Sequence, residues 1–311
     1  MTEKNKLKIS SLAKDVLFDE PMSRHTTFRI GGNADVFVNA SSSEEIVSII
    51  SYCLEHHIPY MCMGNGSNML VSDNGIRGVV ISIGSNMSEV QVVDNMIYAE
   101  AGALMSKIAS AALGAELSGF ETLSGIPGTV GGGIYMNAGA YGGEIKSVLK
   151  NVTFISKNND IVTMDTDQLE LSYRHSIFET NGGIIVKCCL ELKKGNKNEI
   201  SAAMKEYSKR RNEKQPLSMP SAGSTFKRPE GHFAGKLIQD AGLMGFSIGG
   251  AQISTKHAGF IVNTGNATAD DVLALIEHVK KTVFAQSGIM LEPEVRLIGE
   301  KIFNNNELTF R

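Results

Sequence analysis

The chain has 311 residues, 42% of them hydrophobic, which is enough apolar mass to bury a core in two or three compact units and too much for a disordered polymer. Thirty Lys and Arg stand against 33 Asp and Glu, a formal net charge of -3, so no chain-wide basic field exists to gather nucleic acid. Aromatics make up 6% with no Trp, and no paired stacking motif of an RNA-binding sheet appears, which makes nucleic acid a poor partner.

The first residues, MTEKNKLKISSLAKD, are polar and lack the apolar stretch and small-residue cleavage site of an export signal. No apolar run reaches spanning length either, so the expected compartment is the cytoplasm, with no membrane partner. Ser42-x-x-Glu45 opens an amphipathic helix through Ile46, Val47, Ile50, Cys53 and Leu54 that stops before Pro59. A strand over 58–63 runs into Gly64-Asn65-Gly66-Ser67-Asn68 and on to Met69-Leu70-Val71, so this glycine loop is held between two short apolar runs, as a phosphate cradle would be. The third glycine of GxGxxG is missing and a strand follows, which argues against a dinucleotide Rossmann fingerprint, and no GxxxxGK[ST] occurs. Taken alone, the loop is as readily a structural turn. Strands are expected over 78–83 and 90–100, then a helix over 103–113.

Residues 117–144, LSGFETLSGIPGTVGGGIYMNAGAYGGE, are dense in glycine without a collagen period. Ile126, Pro127, Thr129, Val130, Ile134, Tyr135 and Met136 interleave the glycines, so the segment reads as a packed, ligand-lined loop and not a solvated linker. Strands over 152–156, 161–164 and 184–192 form an expected meander. A polar helix through Met204 and Tyr207 is expected to give way to a charged connector, KRRNEKQP, closed by Pro216 and Pro220, which places a domain boundary near Gly195. The last third reads as a compact α+β unit. It has a helix over 235–241, a strand over 259–262, and a helix capped by Thr268-x-x-Asp271 that carries Val272, Leu275, Ile276, Val279 and Val283 and ends at Gly288. Cys53, Cys62, Cys188 and Cys189 lack CxxC spacing and read as reduced packing residues, and the seven histidines show no ligand spacing, so no metal is expected.

Three polar islands stand out. In Ser172-Tyr173-Arg174-His175-Ser176-Ile177-Phe178 the arginine has the planar, permanent charge that suits a carboxylate, though an exposed arginine is the commoner case. In PSAGSTFKRP, Ser224 lies in a glycine-bearing turn where a serine ordinarily bonds its own backbone. Glu292-Pro293-Glu294-Val295-Arg296 reads by default as a solvated strand end.

SGIPGTVGG, followed by Met136-Asn137-Ala138-Gly139-Ala140-Tyr141-Gly142, resembles the flavin-contacting signature of the UDP-N-acetylenolpyruvoylglucosamine reductase (UDP-N-acetylmuramate dehydrogenase) family, which makes the muramic acid precursor of peptidoglycan. The resemblance runs from about Thr27 to Gly299. The blocks YRxSxF, GSxFKxP and EPEVR carry the family's catalytic arginine, serine and glutamate and fall, in order, on Arg174, Ser224 and Glu294. The resemblance implies an α+β fold: a two-part FAD-binding module of the vanillyl-alcohol-oxidase/p-cresol-methylhydroxylase type plus a third α+β substrate domain. It puts the FAD module in residues 1–195, as subdomains of roughly 1–85 and 86–195, the substrate domain in 196–293, and a C-terminal return to the FAD module in 294–311. It implies non-covalent FAD against Gly64, Asn65, Gly66, Ser67 and Asn68, against Ile126, Pro127, Gly128, Thr129, Gly132 and Gly133, and against Asn137, Ala138 and Gly139.

The implied reaction is reduction of the enolpyruvyl ether of a UDP-sugar to a lactyl ether, with NADPH as hydride donor and the two small molecules taking turns in one cleft. Arg174 would stabilise the charge developing on the carboxylate, Ser224 would protonate the adjacent carbon, and Glu294 would orient the intermediate. Tyr173, Lys214, Arg228 and His257, with Lys256 nearby, are the implied contacts to sugar, phosphates or uridine. The chain departs from the family pattern at Arg228 and Gly259, where many relatives have Asn. It resembles the short form, since the interval from Arg174 to Ser224 is too short for a tyrosine-bearing lid, and a monomer whose third domain moves to close the cleft is expected. Two rivals stand beside it: a flavin-dependent sugar or alcohol oxidase of the same flavin fold, which would often tether flavin to a histidine that the glycine-rich segment lacks, and a non-catalytic nucleotide-sugar binding protein.

Overall fold

A computed structural model describes residues 1–299 of the chain. The first part holds helix α1 (Glu3–Leu12), strands β1 (Val16–Pro21) and β2 (Asn33–Asn39), helix α2 (Ser43–Glu55), and strands β3 (Tyr60–Met63), β4 (Met69–Val71) and β5 (Ile76–Ser82). Four of these strands make a mixed sheet in the order β1-β2-β5-β3, antiparallel only between β1 and β2. Ser42 caps α2 by accepting from the Glu45 amide at 3.2 Å, while the Glu45 carboxylate reaches back to Ser41 and not to Ser42. The face of α2 that packs on the sheet is Ile46, Ile49, Ile50 and Cys53, and Leu54 turns outward, 47% exposed. Each isoleucine so buried stabilises the unit by about 1.5–3 kcal/mol. Burial also pushes the Cys53 thiol up to about 12, so it stays protonated as a packing group.

The second part comprises β6 (Val90–Val93), β7 (Met96–Glu100), α3 (Met105–Gly114), β8 (Leu117–Ser118), α4 (Val130–Tyr135), β9 (Gly139–Ala140), β10 (Gly143–Glu144), β11 (Leu149–Ile155), β12 (Ile161–Asp165), α5 (Phe178–Asn181), β13 (Ile184–Glu191), β14 (Lys193–Lys194) and α6 (Lys197–Lys214). Residues 90–100 form a hairpin and not one strand: Val93 pairs with Met96 across Asp94-Asn95, and Asp94 takes a left-handed φ of 54°. The expected meander is also reordered. The antiparallel sheet runs β12-β11-β13-β7-β6, so the chain leaves β12 at one edge, crosses over, and re-enters on the other side of β11. That crossover carries Tyr173 and Arg174 out of the sheet. The charged run 209–214 is the end of α6 and not a connector, because Lys, Arg and Glu are good helix formers, Glu206 pairs with Arg210 at 2.7 Å, and basic residues suit a last turn.

The last part holds α7 (Ala234–Asp240), β15 (Ser247–Ile248), β16 (Ala251–Ile253), β17 (Ile261–Asn263), α8 (Ala269–Ser287) and β18 (Arg296–Ile298). Thr268 and Asp271 form the expected capping box on α8, and Gly288 ends it at φ 71°. Asp73, between β4 and β5, accepts from the amides of Ala269 and Asp270, so an acidic group of the first part also caps this helix. The core of the last part takes in Phe28, Ile30 and Leu70, and β18 pairs in parallel with β4. Thus β18 is woven into the first part of the fold.

Candidate active site

Two glycine loops lock into each other. Gly66 has φ 59°, its carbonyl accepts from the Thr27 amide at 3.2 Å, and a Cβ there would lie 2.1 Å from the His25 carbonyl oxygen. A Cβ on Gly64 would lie 2.2 Å from Thr129 Oγ1, and one on Gly128 (φ 118°) 2.7 Å from Ser67 Oγ, which donates to the Pro127 carbonyl at 3.2 Å. The glycines therefore permit close approach of protein to protein. Gly66→Ala combines a left-handed alanine with a backbone collision and is expected to cost at least about 2 kcal/mol, measured as a lowered urea midpoint together with reduced flavin retention on gel filtration.

Beside this junction lies a cavity of about 490 Å³. Gly64, Asn65 and Thr129 line it, as expected. Its other walls were not singled out from the sequence: the segment 24–27, the hydroxyls of Ser82, Ser85 and Ser88, and Lys107. The signal available was the polar run His25-Thr26-Thr27 ahead of Gly31-Gly32. Hydroxyls, bare backbone at Gly84 and Gly102, and the cations Arg24 and Lys107 match a diphosphate-bearing nucleotide cofactor. The other expected cofactor contacts, Gly66, Ser67, Asn68, Ile126, Pro127, Gly128, Gly132, Gly133, Asn137, Ala138 and Gly139, do not line this cavity. Asn137 is fully buried, and its amide donates to Glu144 and to the Ser172 carbonyl while its oxygen accepts from the Lys146 amide. Its side chain is thus occupied in pinning turn 172–175 to the glycine-rich segment.

Arg174 stands in that turn with a left-handed φ of 55°. Its Nε donates to Glu294 Oε1 at 2.7 Å and its Nη2 to the Gly139 carbonyl at 3.4 Å, with the guanidinium 5.0 Å from the Tyr173 ring. The Glu294 side chain is 11% exposed, its amide donates to the Thr225 carbonyl at 2.8 Å, and its carbonyl accepts from Asn68 Nδ2 at 3.2 Å. Burial raises the Glu294 carboxyl above its ordinary range, and the attraction of Arg174 only partly opposes this. Ser224 directly precedes Thr225, in the loop whose Phe226 bridges to Pro293, and its hydroxyl makes a long 3.4 Å bond to the Phe226 carbonyl. The structure thus joins Arg174 to Glu294 and sets Ser224 on the neighbouring segment. Arg296, which the sequence did not mark out, braces the group by donating to the Tyr135 hydroxyl at 2.7 Å and to Glu179 at 2.6 Å, while Glu179 meets His175 at 2.8 Å.

The four expected substrate residues fall into two pairs. The Tyr173 hydroxyl accepts from the Arg228 amide at 3.1 Å, and the Arg228 guanidinium lies 4.0 Å from the Phe233 ring. His257 sits close enough to Lys214 to be influenced by its charge. A Cβ on Gly259 would press on the His257 ring at 3.0 Å, which gives glycine a reason to be there. His257 Nδ1 accepts from the Gly259 amide at 3.1 Å, so the neutral ring carries its proton on Nε2. Burial first, then the Lys214 charge, lowers its pKa below the usual 6.5. The stability this contributes is fully present above about pH 6.5 and lost as pH falls through the lowered value. His257→Gln should therefore narrow its stability gap to the wild type on acidification, which thermal melts between about pH 7.5 and 5 will measure. Among the described residues no three His, Cys, Asp or Glu gather to hold a metal ion, and no helix is long and apolar enough to cross a membrane.

Comparison with known proteins adds to this geometry. The family model for the UDP-N-acetylenolpyruvoylglucosamine reductase C-terminal domain matches residues 215–298, and that for an FAD binding domain matches residues 34–165. A UDP-N-acetylenolpyruvoylglucosamine reductase of Caldanaerobacter subterraneus subsp. tengcongensis is 50% identical over 296 residues, 94% of this chain and 98% of that protein. One from Agathobacter rectalis is 51% identical over 297 residues, 92% of this chain and 94% of that protein. The crystal structure of the Thermus caldophilus enzyme of that name superposes with a TM-score of 0.79 at 34% identity, covering 91% of this chain and 98% of that one.

Proposed function

Because the chain belongs to the UDP-N-acetylenolpyruvoylglucosamine reductase family, we propose that it reduces UDP-N-acetylglucosamine-enolpyruvate to UDP-N-acetylmuramate with NADPH, for peptidoglycan precursors, using Arg174, Glu294 and Ser224 on the substrate. The observation that supports these roles most directly is the 2.7 Å contact of Arg174 with Glu294, made beside the segment bearing Ser224 and tied through Gly139 to the glycine-rich loop. Oxidase and non-catalytic binding alternatives have no support among relatives half-identical over nearly their whole length.

FAD would be held by the segment 24–27, Gly64, Asn65, Thr129 and Lys107, with residues 66–68 and 126–139 shaping the wall behind, and when bound it supplies a two-electron carrier between NADPH and the substrate. Glu294 takes the Arg174 Nε–H at 2.7 Å and the Gly139 carbonyl lies 3.4 Å from Nη2, which orients the guanidinium and leaves its other N–H donors for a carboxylate. As hydride reaches the methylene carbon of the enolpyruvyl ether, negative charge spreads onto the adjacent carboxylate, where Arg174 meets it. The Ser224 hydroxyl then gives its proton to the ether-bearing carbon and is reprotonated from water, completing the lactyl ether. Such a weak acid suffices because the acceptor carbon is strongly basic.

Tyr173, Arg228, Lys214 and His257 are assigned to the nucleotide sugar. The FAD module is assigned to residues 1–195, in halves meeting near 85, and the substrate unit to 196–293; in the return from 294, residues 300–311 lie outside the described residues. The enzyme is taken to act as a cytoplasmic monomer, which light scattering checks as to mass. The decisive experiment mixes purified enzyme anaerobically with NADPH and then with the enolpyruvyl nucleotide sugar while flavin absorbance is followed. Bleaching by the first and recovery with the second are expected, and a colourless protein that cannot rebind FAD, or one reoxidised by oxygen alone, would refute the assignment.

A further inference from the structure

Tyr141, at the tip of the β9–β10 hairpin, has a left-handed φ of 53° and is 41% exposed. A tyrosine in that backbone region costs conformational energy, which the packing of its ring must offset. Its ring stacks on Tyr207 of α6, with centroids 5.0 Å and planes 25° apart. The same hairpin supplies the Gly139 carbonyl, which Arg174 Nη2 approaches at 3.4 Å beside its tighter bond to Glu294. Hairpin and α6 both rest on the single turn Glu121–Leu123, so closely that a Cβ on Gly143 would lie 2.1 Å from Thr122 Oγ1. The stack is therefore a side-chain bridge between the loop that aims Arg174 and the helix that leads into the last part of the chain.

We infer that Tyr141 is a positioning residue for Arg174: its stack on Tyr207 holds the hairpin where the Gly139 carbonyl fixes the guanidinium, and so couples the seating of α6 to the aim of the group that receives the substrate carboxylate. The inference rests on the proposed reductase activity and names a further residue in it. The two tyrosines act as one unit, with the ring face and not the hydroxyl as the working part.

Tyr141→Ala, Tyr141→Phe, Tyr207→Leu and the Tyr141→Ala/Tyr207→Leu pair are compared with wild type as flavin-loaded enzymes in anaerobic rapid mixing. Tyr141→Ala should keep its flavin and its rate of bleaching by NADPH but be reoxidised by the enolpyruvyl nucleotide sugar on the order of tenfold more slowly, a loss in kcat with little change in the KM for NADPH. Tyr141→Phe should restore the wild-type rate, and the double variant should be no slower than Tyr141→Ala alone. Unchanged reoxidation, equal slowing of both half-reactions, loss of flavin, or a Tyr141→Phe as slow as Tyr141→Ala overturns the inference. If wild-type enzyme itself is not reoxidised by the sugar, the reductase assignment falls and the inference with it; any of the other failures sinks the inference alone.

Discussion

Ser224→Ala is expected to be bleached by NADPH at close to the wild-type rate and to be reoxidised by the enolpyruvyl sugar on the order of 10³-fold more slowly, the effect of removing a positioned general acid. The two half-reactions separate because hydride transfer from NADPH needs no proton from the protein, whereas the second leaves a carbanion-like carbon to be quenched. The substitution should barely affect stability. The hydroxyl makes only a 3.4 Å bond to the Phe226 carbonyl, at the limit of a useful hydrogen bond, and Ser224 is only half-buried. Unfolding midpoints would therefore match while reoxidation collapses. Equal loss in both half-reactions would remove Ser224 from the proton-donor role.

Arg174→Ala is expected to lower the reoxidation rate by about 10² to 10³, the usual effect of losing a charge-stabilising donor in a protected site. It has a second consequence. The buried Glu294 carboxyl already lies above its ordinary range and Arg174 is its main opposing influence, so removing the guanidinium moves it further up. A folded-state value raised above the unfolded one gives stability that is present at low pH and lost as pH rises through the folded value. The variant should therefore match wild type near about pH 4 in urea denaturation and fall progressively behind toward pH 8. Arg174→Lys should recover little activity, because a single ammonium cannot reproduce the planar fork that meets Glu294 and Gly139 together. If lost flavin accounted for the whole defect, Arg174 would be scaffolding.

Local rules were legible where the deciding interaction is local. The capping box of Thr268 and Asp271, the stop at Gly288 and the apolar face of α8 are all present as the spacing predicts. The loop 64–68 does sit between two strands, and two of its members line the cavity. What was not legible depends on partners far along the chain. The order β12-β11-β13 is set by which edge the returning strand meets, and nothing in residues 184–191 announces that. The run 209–214 looked like a connector because it is charged, yet charge on the exposed side of a helix is a stabilising pattern. The Asp94-Asn95 turn was hidden by apolar residues on both sides. At the site, each of Arg174, Ser224 and Glu294 has an ordinary surface or turn interpretation alone. Their convergence came from resemblance, and the contact of Arg174 with Glu294 came only with the structure. The Arg296–Glu179 half of the brace had no sequence signal, since it links segments far apart in the chain, whereas His175–Glu179 is a local i,i+4 pair.

The parallel pairing of β18 with β4 has a consequence for synthesis in the cell. Arg296 lies against Met69, and Glu294 sits just before that ladder. Closing so long a loop is slow, and the ladder cannot form until residues 296–298 have been translated. Arg174, made much earlier, gains its carboxylate partner only once Glu294 has been added. A chain ending prematurely at residue 293 would accordingly be expected to stain yellow with FAD and turn over nothing.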